Sequence, residues 1–225
     1  MDTEQFDELR RRMLGEIAAI TAMVGGQIGK HAIDPRVMEV LGKIARHDFV
    51  PLEMQQHAYL DRPLPIGYDK TISQPFIVAL MTDLLQVGSD DVVLEIGTGM
   101  GYQSAVLAAL ARKVYSIEII EALATQAEQR LQRAGYSNVE IKVGDGSRGW
   151  PEHAPFDRIM ATAAPELIPA SLMHQLKPGG RMVVPAGLPD SQQLIVVEKN
   201  AIEGKLTTRE ILPVRFSALE DSGSA

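Results

Sequence analysis

Cysteine is absent from the 225 residues, so no disulfide, thiolate nucleophile or cysteine-ligated metal enters any account of this chain. A basic excess is absent too. The 22 Lys and Arg against 29 Asp and Glu leave a net charge of −7, which argues against a nucleic-acid partner and the basic face it needs. No run approaches the ~18 consecutive apolar residues of a membrane helix, so no membrane partner is expected. Arg10-Arg11-Arg12 ahead of the apolar stretch Ile17 to Gly26 suggests a secretory leader, but Asp2, Glu4, Asp7 and Glu8 make the start acidic and Glu16 interrupts the run. A cytoplasmic protein is the expectation. His31, His47, His57, His153 and His174 show no H-x-x-x-H spacing, so no metal is expected. What is present is ordinary globular composition, 45% hydrophobic and 23% charged, in a chain long enough for one full core.

The opening segment reads as helix. Phe6, Leu9, Met13, Ile17, Ile20 and Val24 recur at helical steps and share a face; Asp2 with Gln5 is a cap pair, and Gly25-Gly26 is the expected stop. Packing on its own domain is the plainer use of that face, and self-association into a homo-oligomer the sharper one. A second helix starts at Asp34-Pro35 and carries Val37, Val40, Leu41 and Ile44, and Arg62 to Gly67 breaks regular structure.

From Ser73 the pattern alternates. Helices are expected over Pro75 to Leu85, Tyr102 to Ala111, Glu121 to Ala134 and Pro165 to Leu176. Strands are expected over Val92 to Ile96, Lys113 to Ile119, Val139 to Val143, Phe156 to Ala161 and Arg181 to Pro185. Such interleaving means an α/β, doubly wound, mostly parallel sheet. Gln192 to Lys199 and Glu210 to Leu219 have no helix between them and read as antiparallel strands; Ser222 to Ala225 reads as a frayed end. The expected division is residues 1–72, an N-terminal helical extension leading into the acceptor site, and residues 73–225, the ligand-binding α/β domain, in one compact unit.

Ligands bind such sheets at the carboxyl ends of the strands. Glu95-Ile96-Gly97-Thr98-Gly99-Met100-Gly101 is a glycine loop opening a helix, where the backbone approaches a ligand closely; a structural turn is the alternative. Glu118 follows Gly97 by 21 residues, near the ~20 expected of a carboxylate that grips ribose hydroxyls. Asp145, between Gly144 and Gly146, can accept from an adenine amino group, with a plain turn as the alternative. Together these fit an adenosine ligand. The spacing is G-x-G-x-G, not the dinucleotide G-x-G-x-x-G, and Tyr102 stands where a third glycine belongs. The acidic Glu95 suits a sulfonium better than a pyrophosphate. S-adenosylmethionine is therefore favoured over a nicotinamide, and the arrangement resembles the class I (Rossmann-like) methyltransferases.

At the fourth strand end, Thr162-Ala163-Ala164-Pro165 offers no side-chain amide or acid to cradle an amine acceptor. A carboxylate acceptor needs no base, being ionised at neutral pH, and asks only for positioning. Lys70-Thr71-Ile72-Ser73-Gln74-Pro75 can supply it through the Ser73 hydroxyl and nearby N–H groups, although Ser73 as a helix cap is the plainer reading.

These blocks resemble the protein-L-isoaspartate O-methyltransferase family: Ala45 to Pro51, Ala58-Tyr59, Leu64 to Gly67, Thr71 to Pro75, Val93 to Gly99, Gly144 to Gly146, Ala154 to Asp157, Thr162 to Pro165 and Val214 to Phe216. The resemblance implies methyl transfer from S-adenosylmethionine, yielding S-adenosylhomocysteine, to the free α-carboxylate of L-isoaspartyl residues in damaged proteins and peptides. The ester then collapses to a succinimide that reopens partly to normal aspartate. It implies Ser73 as the active-site hydroxyl, Gly97, Thr98 and Gly99 (with Glu95 and Gly101 in the same loop) for the cofactor, Glu118 for the ribose, and Asp145 with Gly146 for the base. It places Thr71, Ile72, Val214 and Phe216 at the substrate.

The chain departs from the family at Ser217-Ala218-Leu219, where Val-Pro-Leu is usual, at Met100 and Ser147, and in residues 1–31. His47 is expected to be structural, Trp150 and Phe156 to be anchors, and Tyr59 and Asp61 to wall the cleft. Methylation of another carboxylate or small metabolite is the alternative activity; a cofactor-binding interaction protein and a dehydrogenase are the remaining contrasts.

Overall fold

Residues 1–220 are described in a computed structural model; the expected frayed end at Ser222 to Ala225 lies outside the described residues. The helix α1 spans Thr3–Ile28, and Asp2 and Gln5 form the expected reciprocal cap. It does not stop at Gly25-Gly26. Gly25 lies within the helix and packs against the His31 ring, where any Cβ would collide with Nδ1 at 2.1 Å. The stop is Gly29, at φ 75°, whose N–H bonds to the Gly25 carbonyl at 2.9 Å. Met13 and Ile17 are fully buried, and Phe6, Leu9, Ile20 and Val24 pack against the same core, so the apolar stripe is covered by this chain.

The helix α2 runs Pro35–Lys43, capped by Asp34. Where a break was expected, a small hairpin forms: β1 (Leu64–Gly67) pairs antiparallel with β2 (Lys70–Ile72). Its two-residue turn holds Tyr68 and Asp69 at φ 54° and 55°, the left-handed pair that matches the twist of a hairpin. Helix α3 (Pro75–Leu85) is buried all round, because α1 and α2 cover one side while the sheet covers the other.

The main sheet contains β3 (Val92–Ile96), β4 (Lys113–Glu118), β5 (Val139–Val143), β6 (Phe156–Ala161), β7 (Leu176–Leu188), β8 (Ser191–Lys199) and β9 (Leu206–Val214), alternating at first with α4 (Tyr102–Ala108), α5 (Glu121–Arg133) and α6 (Ala170–Gln175). The strand order is β5-β4-β3-β6-β7-β8-β9; β3 to β7 are parallel, and β8 and β9 are antiparallel. This is the doubly wound sheet with antiparallel C-terminal strands that the pattern predicts. The order reverses between β3 and β6, which opens the ligand crevice at their carboxyl ends.

Several expected elements differ in extent, among them β7, which runs Leu176–Leu188 where the expected strand was Arg181 to Pro185. Helix α4 ends at Ala108, not Ala111. Helix α6 begins at Ala170, not Pro165: the Ala164 N–H bonds to Ser217 O and the Gly187 N–H to Pro165 O, so this stretch is committed to the C-terminal segment and to β7. Strand β9 ends at Val214 instead of continuing to Leu219, and the chain then crosses to form an isolated bridge between Ala218 and Ala164. Trp150 and Phe156 are buried in the core on the other face of the sheet, as anchors should be. Among the described residues no helix is long and apolar enough to cross a membrane.

Candidate functional site

One cleft of about 550 Å³ opens at the carboxyl ends of β3 and β4. The glycine loop forms its floor. Gly97 sits at φ 92° and Gly99 at φ 55°, conformations that L side chains rarely adopt, so the backbone there lies bare toward the cleft. Thr162, at the end of β6, fixes the loop by donating from Oγ1 to Gly97 O at 2.6 Å and to Ile96 O at 3.1 Å.

Glu118 ends β4 and faces the same space. Its carboxylate accepts the Gly99 N–H at 2.8 Å and the Ile120 N–H at 3.0 Å. A carboxylate has about four acceptor positions, so two backbone bonds leave capacity for a pair of vicinal hydroxyls. Ile96, Ile117, Ile119 and Met100 supply apolar surface around it. Bare loop backbone, an acidic strand end and an apolar slot fit the adenosine portion of S-adenosylmethionine. Met100, one of the departures from the family pattern, lines the cleft and is itself buried.

The opposite wall is the acceptor segment. Thr71, Ile72, Ser73 and Gln74 line it, together with Val214, Arg215 and Phe216 from the end of β9 and beyond. The N-cap of α3 is Gln74, whose own side chain makes no cap hydrogen bond. Ser73 is therefore not the cap, and among the described residues its hydroxyl has no hydrogen-bond partner. The cleft thus brings together Gly97, Thr98, Gly99, Glu118 and Gly146 on one side with Thr71, Ile72, Ser73, Val214 and Phe216 on the other.

Three residues expected at the cofactor do not line the cleft. Glu95 points into the core behind the loop, fully buried, where Ser104 Oγ and Ser116 Oγ (the latter at 2.6 Å) donate to one of its oxygens. Because the Ser116 proton goes to Glu95, Thr98 Oγ1 donates to Ser116 Oγ at 2.6 Å, so Glu95 supports the loop through a relay of hydroxyls. Burial pushes the Glu95 carboxyl up to about 7 against the pull of the two serines. Gly101, at φ 93°, serves helix packing: a Cβ there would press on Leu131 and Ala127 of α5 at 3.2–3.3 Å. The Asp145 side chain accepts from the Ser147 N–H at 2.9 Å and pairs with Arg148, while its neighbour Gly146 reaches the cleft.

Tyr59 and Asp61 do not wall the cleft either. Tyr59 is buried under α1, accepting from Arg10 at 3.2 Å and hydrogen-bonded to His47 Nδ1 at 2.8 Å, with the His47 ring stacked on Phe6; His47 is thus structural. Asp61 instead clamps the acceptor segment from behind, accepting from Gln74 Nε2 at 2.7 Å and from the Phe76 N–H at 2.8 Å. No local pattern marks Asp61 or Thr162 for these roles, since each acts on a segment distant in sequence. Lys70 and Glu220, both lining the cleft, form an ion pair across its mouth.

The chain is 62% identical to protein-L-isoaspartate O-methyltransferase 1 of Polaromonas sp. over 99% of its own length and 94% of that protein's. Among solved structures, a protein-L-isoaspartate O-methyltransferase superposes with a TM-score of 0.77 at 28% identity, covering 91% of this chain and 65% of that one. A Plasmodium falciparum structure assigned to the same enzyme class, in complex with S-adenosyl-L-homocysteine, gives 0.73 at 20% identity, covering 84% and 92%, and shares the fold. The sequence model described as protein-L-isoaspartate(D-aspartate) O-methyltransferase matches residues 22–224, which takes in the glycine loop, the acceptor segment and the crossing C-terminal strap alike. The chain belongs to the protein-L-isoaspartate(D-aspartate) O-methyltransferase family.

Proposed function

We infer that this chain methylates the free α-carboxylate of L-isoaspartyl residues in damaged proteins and peptides, using S-adenosylmethionine, and so initiates their repair. The observation that carries the reading is the single cleft with a nucleoside-type floor, Gly97 to Gly99 and Glu118, facing an acceptor wall of Thr71 to Gln74. Glu118 and the backbone of the loop would hold the cofactor, with Gly146 beside the base; Ser73 would hold the acceptor. When bound, S-adenosylmethionine supplies a methyl carbon on a sulfonium, whose departure leaves a neutral thioether.

The chain's own work is positional. An isoaspartyl α-carboxylate is ionised at neutral pH, so no side chain needs to remove a proton. The stretch Thr71 to Ser73 accordingly presents hydroxyls, those of Thr71 and Ser73, and among the described residues charged side chains reach this wall of the cleft only from its neighbours Lys70, Arg215 and Glu220. Ile66, Ile77 and Val78 on the same wall exclude water from the carboxylate, which leaves it a stronger nucleophile. The proposed setting is the cytoplasm. The covered stripe of α1 means that no second copy is needed to bury it.

The test offers methyl-labelled S-adenosylmethionine with two peptides that differ only in L-isoaspartyl or L-aspartyl linkage. Base-labile label on the first alone is expected. Equal label on both, or label on neither, ends the reading, and a small carboxylate that outcompetes the isoaspartyl peptide would redirect it to the metabolite alternative.

A further inference from the structure

Arg46 is the largest fully buried side chain in the molecule, at 0% exposure, and no acidic side chain pairs with it among the described residues. Its Nε donates to the Ala58 carbonyl at 2.7 Å, and its Nη2 donates to the Ser73 carbonyl at 2.7 Å. The guanidinium carbon lies 4.7 Å from the centroid of the Tyr102 ring, on the first residue of α4. Nη1 and the Tyr102 hydroxyl are both buried without a hydrogen-bond partner. An apolar side chain of this volume would fill the space without desolvating a charge. What only a guanidinium does here is hold two carbonyls from separate segments while lying on an aromatic face.

One of those carbonyls belongs to Ser73. The Ser73–Gln74 peptide is trans, so its C=O and N–H point in opposite directions. With the oxygen drawn inward to Arg46, the Gln74 N–H is turned away from the buried cation, and Ser73 and Gln74 both line the cleft. That N–H has no acceptor among the described residues. From behind, Asp61 holds the Gln74 side chain and the Phe76 N–H, so the next peptides cannot rotate to take its place.

We propose that Arg46 is a positioning residue for methyl transfer: by locking the Ser73–Gln74 peptide it aims the Gln74 N–H at the acceptor carboxylate beside the Ser73 hydroxyl. The same guanidinium packs on Tyr102, which lines the cleft at the start of the cofactor-loop helix, and so ties the acceptor wall to the cofactor floor. A 1 Å error in either would misalign an in-line transfer. The inference rests on the carboxylate-methylation reading above.

Arg46→Lys tests it, because lysine keeps the charge and loses the planar fork. Cofactor affinity is measured calorimetrically with S-adenosylhomocysteine, and turnover is expressed per cofactor-binding molecule with the isoaspartyl peptide. The expected result is a cofactor Kd within about twofold of the parent and a fall in kcat of about tenfold or more. A merely structural role would lower thermal stability and leave per-molecule kcat unchanged, and that outcome overturns the proposal. So does a parallel loss of cofactor affinity.

Should the variant not fold, the unaltered protein carries the test by amide NMR in the presence of S-adenosylhomocysteine. The Gln74 amide proton then moves downfield when the isoaspartyl peptide is added and stays in place with the aspartyl peptide. A Gln74 amide indifferent to both sinks the assignment. An unaltered enzyme that labels no isoaspartyl peptide instead removes the functional reading, so the two failures are told apart.

Discussion

The Glu118 carboxylate accepts the Gly99 amide at 2.8 Å, so the group that would grip the ribose also fixes the loop on which the cofactor lies. Glu118→Ala removes both. The expected outcome is a loss of ~1.5–3 kcal/mol in S-adenosylhomocysteine binding by calorimetry, the range for hydrogen bonds to a charged group. Glu118→Gln can still accept from Gly99 and should lie between the two.

Ser73→Ala separates acceptor from cofactor. With no cap bond to lose, the substitution should leave stability and cofactor affinity nearly intact while turnover on the isoaspartyl peptide falls ~10- to 1,000-fold, as for one lost positioning donor. Turnover equal to the parent's would remove Ser73 from the site.

Glu95 gives the protein a pH dependence of stability. Its folded pKa is raised from 4.5 to about 7, chiefly by burial, so between those values the folded state holds a proton that the unfolded state has released. Stability from this group is therefore greatest below about 4.5 and is lost as pH rises to about 7. Glu95→Gln cannot ionise. In urea unfolding its stability relative to the parent should rise by ~1–3 kcal/mol between pH 5 and pH 8. A constant difference across that range would show that Glu95 does not titrate as described.

Gly97→Ala is expected to be costly for two reasons at once. Its φ of 92° strains any Cβ, and that Cβ would meet Thr162 Oγ1 at 2.4 Å, the atom that holds the loop. A destabilisation of ~1–3 kcal/mol in thermal or urea unfolding is expected, with cofactor binding weakened further because the loop itself must shift.

Lys70 and Glu220 are partly exposed, so their pairing should contribute at most ~1 kcal/mol to stability. Across the mouth of the cleft it has a second consequence. Glu220→Ala frees the Lys70 ammonium and removes a negative charge that an incoming carboxylate must pass. KM for the isoaspartyl peptide should fall roughly two- to fivefold at low salt, with the effect shrinking toward 0.5 M salt as charges are screened.

The alternation of helices and strands, the cap at Asp2, the start of α3 at Pro75 and the bare glycine loop were all legible in the chain itself, because each is a local demand on backbone conformation that a few neighbouring residues satisfy. Glu118 was legible for a related reason: the spacing from loop to next strand end is set by one helix. Glu95 was not. Successive strand residues face opposite sides, and only the packing of α4, with Ser104 against β3, decides that Glu95 takes the core side while Ile96 reaches the cleft. The clamps on the acceptor wall were equally hidden. Arg46 stands 27 residues before Ser73 and Asp61 stands 15 before Phe76, and a single chain has no period that marks such pairs. The same holds for Ala164 and Ser217, whose hydrogen bond unmakes the first turn of α6. Local chemistry wrote the elements and the loop; which side chains face the ligand and which hold the frame was decided only when distant segments closed on one another and competed for the same backbone groups.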